Sequence, residues 1–284
     1  MMSTAKTTVP YLPESKWRSS HPLELTAKDS ILQINNDGVS SLQAGNPKAA
    51  MVRLASCLAI MKSNSVEGDK KVHYRFLESS SSSQKDTSLG FSSLRSTFVF
   101  TAPIEIVRSN RSHDIFSSDS TSNDTKQMTC KLLSIVLFNL TLAHHLYALE
   151  IDETEQYQTQ DSKRSQEVRS FLDKSLRLYE LCYSSLVFTT SGILCSDLSI
   201  AVVVTNNVGE IHKELHHHRV EQHHQPEQYS HEYSRTAMAC SEQLVQIFMF
   251  FTANGAVDEL EGLGDLLSNA LSTLNGPQIF APAA

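Results

Sequence analysis

What the 284-residue sequence lacks narrows its class before any motif is found. Cysteine is sparse: Cys57, Cys130, Cys182, Cys195 and Cys240 are an odd set of five, widely spaced and without a C-x-x-C. That pattern excludes a disulfide framework and fits a reducing compartment. Four of the five stand among apolar neighbours, where a thiol behaves as a small hydrophobe. No Lys/Arg stripe is present and the net charge is −7, so nucleic acid is not an expected partner. No apolar core opens MMSTAKTTVPYLPESKWRSS, which is therefore not a secretory leader. A cytoplasmic or nuclear location is expected, with a transit peptide left open. The two longest apolar runs are interrupted, LLSIVLFNLTLAHHLYAL by Asn139, His144 and His145, and LVFTTSGILCSDLSIAVVV by Asp197 and several hydroxyls. A span needs roughly 20 mostly apolar residues, so both read as buried helices and no membrane is expected as partner. Also missing are G-x-x-x-x-G-K-[ST], G-x-G-x-x-G and G-x-S-x-G. Without a phosphate cradle or nucleophile elbow, the expectation is a non-catalytic protein with no cofactor.

What is there is a chain of 40% apolar and 19% charged residues, enough for a sizeable core. A disordered tail is expected over 1–25 and a second tail over 276–284. A first helical hairpin is expected over 26–62, with apolar positions Ile31, Ile34, Leu42, Val52, Leu54, Leu58 and Met61. Gly45 and Asn46 supply its stop, and Pro47 suits the first turn of the next helix. Residues 63–128 are a Ser-rich insertion in which two segments, 71–77 and 96–107, alternate with period two. They are expected to pair as a hairpin on the helices, with Pro103 at an edge or bulge. Helical spacing returns at 130–149, 170–188, 194–217, 232–252 and 257–274, so 129–275 should hold further hairpins and a final capping helix. Polar loops are expected at 150–166 and 216–231, and acidic residues of DELEG should open the cap.

A repeat lies under these pairs. NNDG (35–38), FNLT (138–141) and NNVG (206–209) occupy the same place in three first helices. Each sets a small residue, Gly38, Thr141 or Gly209, opposite Ala50, Ser175 or Ala237 of the partner helix, as close antiparallel approach requires. Glu210, one residue on, is expected to point away and to tolerate Ala. With these residues the chain resembles the tetratricopeptide-repeat (TPR) family. Gly38, Gly45, Ala50, Leu54 and Leu58 follow that family's spacing, Ile34 stands at its large first-helix anchor, and Cys57 at its later small position. The third pair matches through NNVGEIHKEL, Ala237 and Leu244, and the middle one through Leu140, Ser175 and Tyr179. The small first-helix residues stand 103 and then 68 residues apart, against about 34 in the family, which implies long insertions.

The resemblance implies a mainly α fold of stacked antiparallel hairpins, a short TPR-like solenoid with a β-hairpin-like insertion. It further implies a protein or peptide partner held on the first helices. Carried over by position, the groove residues are Leu32, Asn35, Val39, Ile135, Phe138, Leu142, Asn206, Glu210 and Lys213. Ile135, Phe138 and Leu142 serve equally well as core beneath the insertion. The basic clamp that some family members use for C-terminal carboxylates is not reproduced, since Lys213 stands nearly alone.

The competing reading is a metal-binding helical protein built on the His-rich segment 212–231, which holds seven of the twelve histidines. His212 and His216 are one helical turn apart, as two zinc ligands would be. Lys213 replaces the Glu that a zincin needs after its first His, so zincin chemistry is excluded. His212 also takes the repeat position of His144, which suggests packing for both.

Overall fold

The computed structural model describes residues 27–63, 72–77, 99–108, 122–155, 162–188, 195–221, 227–255 and 262–275. The helical periodicity produces α1 (Ala27–Gln43), α2 (Pro47–Ser63), α3 (Ser122–Glu155), α4 (Ser162–Phe188), α5 (Cys195–Glu221), α6 (Glu227–Ala253) and α7 (Gly264–Asn275). Consecutive helices pack on one another, and α1 also touches α3, α3 touches α5, and α5 touches α7. The chain is thus mainly helical, with adjacent helices packed in chain order.

The turn between α1 and α2 follows from its residues. Gly45 takes φ 69, a left-handed conformation that costs glycine little. Its N–H reaches the carbonyl of Leu42 at 3.0 Å and that of Asn46 reaches Ser41 at 2.9 Å, so carbonyls at the end of α1 are satisfied. Asn46 then accepts from the Ala49 N–H at 3.0 Å, capping α2.

Helix crossings depend on the glycines, with one correction. A Cβ on Gly38 would meet Leu54 Cγ at 2.7 Å, so Gly38 faces Leu54, one turn beyond Ala50. A Cβ on Gly209 would meet Cys240 Cβ at 3.2 Å and the Ala237 carbonyl at 3.8 Å. Cys57 and Cys182 are buried free thiols, each donating to a first-helix carbonyl: Ile31 at 3.4 Å and Ser134 at 3.3 Å. Burial pushes both up to about 12, where they are inert.

Boundaries differ from the sequence expectation because helices run into polar stretches. α3 begins within the Ser/Asp-rich stretch of the insertion, and α3 to α6 between them take up most of 150–166 and 216–231. A tertiary contact on one face suffices to carry a helix through residues that periodicity alone reads as loop. The cap is shorter than expected and opens at Gly264 with Asp265 in its first turn; 256–261, including most of DELEG, lie outside the described residues. Within the described residues Thr129–Asp152 is long and apolar enough to cross a membrane, and most of it is buried inside the fold.

β1 (Val72–Phe76) and β2 (Ile104–Arg108) pair antiparallel, Val72 opposite Arg108 and Phe76 opposite Ile104. The pairing is the expected one, but β2 starts only after Pro103, whose ring leaves no N–H for a ladder. Residues 99–103 have no regular structure, and 96–98 fall outside the described residues. β2 lies against α1 and α3.

Candidate functional site

The segment 99–108 runs across three first helices and is read through its main chain by one asparagine from each. On α1, Asn36 donates to the Ile106 carbonyl at 2.9 Å and accepts from the Ile106 N–H at 3.1 Å. On α3, Asn139 donates to the Ile104 carbonyl at 2.8 Å and accepts from the Ile104 N–H at 2.8 Å. On α5, Asn207 donates to the Phe100 carbonyl at 3.1 Å and accepts from the Phe100 N–H at 2.8 Å. An amide side chain carries one donor group and one acceptor in a plane, so it pairs with both main-chain groups of one extended residue. All three asparagines stand two positions before the small residue of their repeat: Gly38, Thr141 and Gly209.

Neighbouring side chains orient the rungs. Asn35 donates to Asn36 Oδ1 and Asn206 to Asn207 Oδ1, both at 3.1 Å, the same contact in two repeats. Asn139 also donates to Asn35 Oδ1 at 3.0 Å, and Asn269 on α7 donates to Asn206 Oδ1 at 3.2 Å, linking α1 to α3 and α5 to α7. Asn207 donates further to the Tyr179 hydroxyl at 2.9 Å, and burial raises that phenol well above its usual range. Such a network holds each amide in one flip state, since the reverse assignment would place donor against donor.

Apolar anchoring accompanies the ladder. Ala102, Pro103, Ile104 and Ile106 are buried, and the Phe100 ring meets Phe76 edge-on at 5.4 Å. Burying each isoleucine contributes about 1.5–3 kcal/mol, and each hydrogen bond about 1 kcal/mol net.

Of the positions expected to line the groove, Leu32, Asn35, Val39, Ile135, Phe138, Leu142, Asn206 and Glu210 are buried and Lys213 is half-buried. Ile135, Phe138 and Leu142 belong to the core, the second of the two readings open for them. Asn206, Glu210 and Lys213 are covered by α7: Asn269 donates to Asn206 and to Glu210 at 2.9 Å, and Lys213 bridges Glu210 at 2.6 Å and Thr273 at 2.8 Å. Glu210 therefore does not point away from its surroundings, and replacing it by Ala would remove one acceptor each from Asn269 and Lys213, which keep Asn206 and Thr273. Sequence reasoning missed Asn36, Asn139 and Asn207 as ligands of the main chain. The available signal was an asparagine at one fixed offset in otherwise apolar helices, most visible at Asn139.

The histidines sort differently from their spacing. His212 packs on Tyr233 at 5.6 Å as His144 packs on Phe171 at 5.8 Å, the repeat equivalence expected of them. Burial lowers His212, and burial with the nearby Lys174 pulls His144 down to about 4. His145, fully buried edge-on to Tyr179, is held down to about 3 by desolvation. Among the described residues, neither His212 nor His216 joins a group of three metal-ligating donors; Asp152, Glu214 and His218 do. The i,i+4 pair that converges on α5 is thus Glu214 with His218, two residues further along.

No protein-family model matches the chain, and neither the curated proteins nor the solved structures contain a match to it.

Proposed function

We propose that the protein is a non-catalytic helical-repeat scaffold of tetratricopeptide-like type, which holds an extended protein segment on its first helices. The observation that carries this reading is the bidentate pairing of Asn36, Asn139 and Asn207 with Ile106, Ile104 and Phe100 of one continuous segment. Amides that read only main chain accept many sequences, while the apolar sites of Ile104 and Ile106 select for alternation. The packing of successive odd-numbered helices and the fixed offset of the asparagines support a short solenoid of three hairpins and a cap.

In this reading the resident segment stands in for a partner segment. It is tethered at both ends, so a partner segment competes against an effective concentration of the order of millimolar. A partner must therefore bind tightly or act after the segment leaves. The test uses the full chain carrying Ile104→Asp and Ile106→Asp, which desolvation should expel from the face. A labelled peptide of residues 99–108 should then bind in trans by fluorescence anisotropy, and adding Asn139→Ala should abolish binding while circular dichroism stays helical. Equal binding with and without Asn139, or none to a folded variant, rejects the reading.

A further inference from the structure

A second cluster lies on the same two helices, α3 and α5, but away from the ladder. Asp152 on α3 and Glu214 and His218 on α5 are all buried, and one ligand atom of each lies within 4.8 Å of the others. Glu214 and His218 are four apart on one helix, so they project from the same face one above the other. Asp152 meets them from the neighbouring helix.

We propose that Asp152, Glu214 and His218 bind one divalent transition-metal ion of the zinc type, clamping α3 to α5.

The chemistry of the donors selects the ion. Two carboxylates and an imidazole, with no thiolate, suit a borderline divalent ion rather than a soft monovalent one. Ligand bonds of about 2.0–2.2 Å place donors roughly 3.4 Å apart around a tetrahedral zinc. His218 Nε2 and Asp152 Oδ1 are 3.6 Å apart, too long for a charge-assisted hydrogen bond of about 2.7–2.9 Å but close to that tetrahedral edge. The charges point the same way. Two buried carboxylates within 4.8 Å of an imidazole offer a dication anionic oxygen donors beside a neutral-type nitrogen ligand.

The mechanical consequence follows from the packing. α3 and α5 touch directly over far less surface than either shares with its hairpin partner. A metal bond between them would fix the spacing of the rungs Asn139 and Asn207, which the same two helices carry. The site does not depend on the peptide-binding reading, since its donors are separate residues.

The test uses untagged full-length protein, stripped with chelator and titrated with Zn2+ by calorimetry. One ion should bind per chain, with a Tm that rises as free Zn2+ increases, as binding to the native state alone requires. Glu214→Gln and Asp152→Asn, near-isosteric and uncharged, should each weaken binding at least about 10-fold. A chain with Gln in place of His216, His217, His223, His224 and His231 should bind as tightly as wild type. Co2+ in place of Zn2+ should give the intense visible absorption of a tetrahedral ion in wild type and lose it in either carboxylate variant. The proposal is overturned by no Zn2+ binding to the wild-type chain. It is equally overturned if binding survives Glu214→Gln and Asp152→Asn but is lost in the five-histidine variant, which would mean adventitious capture by the His-rich tract. Should one carboxylate variant fail to fold, the other and the wild-type Co2+ spectrum still decide.

Discussion

The first and third hairpins carry the same local sequence, NNDG on α1 and NNVG on α5, and use it in different surroundings. In both, the second asparagine reads main chain and the first one steadies it. The glycines then diverge. Gly38 presses on Leu54, a fully buried branched side chain, whereas Gly209 faces Cys240 with a few tenths of an ångström more room. The outer cover diverges as well: β2 lies on α1, and α7 lies on the far side of α5. A repeat can therefore keep its main-chain contact constant while its packing and its cover drift. The middle helix α3 shows how far that drift goes, keeping only Asn139 of the asparagine pair and replacing glycine with Thr141.

The largest effect should come from the middle rung. Asn139→Ala removes the acceptor of the N–H of a fully buried Ile104 and the nearer of the two donors to its carbonyl, leaving Asn35 at 3.4 Å, and should cost about 2–3 kcal/mol by urea unfolding. Asn36→Ala, whose contacts are only part-buried, should cost about 1 kcal/mol because water replaces the lost partner. Equal costs would mean that these two positions are not graded by burial.

The glycine comparison comes next. Gly38→Ala should destabilise by about 1–3 kcal/mol through the clash with Leu54, outweighing the gain in helix propensity. Gly209→Ala should melt close to wild type, because a 3.2 Å contact relaxes at a cost similar to the roughly 1 kcal/mol that Ala gains over Gly. Gly209→Leu should still cost about 1–3 kcal/mol. If the two Ala variants melt alike, the hairpins cross more similarly than these distances indicate.

Much of this architecture was legible in the sequence, and the misses have physical causes. Gly45-Asn46-Pro47 located the α1–α2 turn because each residue there has a conformational reason. Period-two alternation found both strands, and one-turn spacing found the helices. The helix ends at Glu155 and Ser162 were not legible, since polar residues continue a helix whenever one face is packed. Asn36, Asn139 and Asn207 were visible as a repeated position but not as ligands, because their partner lies far away in sequence and no local pattern records it. His212 and His216 drew attention by spacing alone, while the donors that converge need Asp152, which only the packing of α3 on α5 brings near.

Acid should act most on the middle hairpin, which carries two histidines held low by burial, where the third carries His212 on α5. His144 and His145 are neutral in the fold, held down to about 4 and about 3, against about 6.5 when unfolded. Their neutral burial carries no penalty above pH 6.5, and stability is lost as pH falls from there toward the folded values, because the unfolded chain binds the protons. By pH 5 each should have cost about 2 kcal/mol. His145→Leu should remove about half of that slope in unfolding curves at pH 7 and pH 5; an unchanged slope would show that His145 takes up its proton in the fold.

The smallest effect belongs to the outer side of the hairpin. Arg75 and Glu105 pair at 2.7 Å at the surface, and Glu105→Ala should change stability by less than about 0.5 kcal/mol. A larger loss would mean that β1 is held by more than its pairing with β2.

The account stands most directly on the amide hydrogen of Ile104, donated to Asn139 Oδ1 rather than to a strand. Amide hydrogen exchange, resolved by nuclear magnetic resonance on the full chain, measures it. The ladder predicts that the Ile104 amide exchanges as slowly as the core amides of α3, and that Asn139→Gly or Asn139→Ala accelerates it by orders of magnitude while the amide of Leu77, which donates to the Pro103 carbonyl, stays protected. An Ile104 amide that exchanges at the rate of an unstructured segment in the wild-type chain would contradict the ladder and the function built on it.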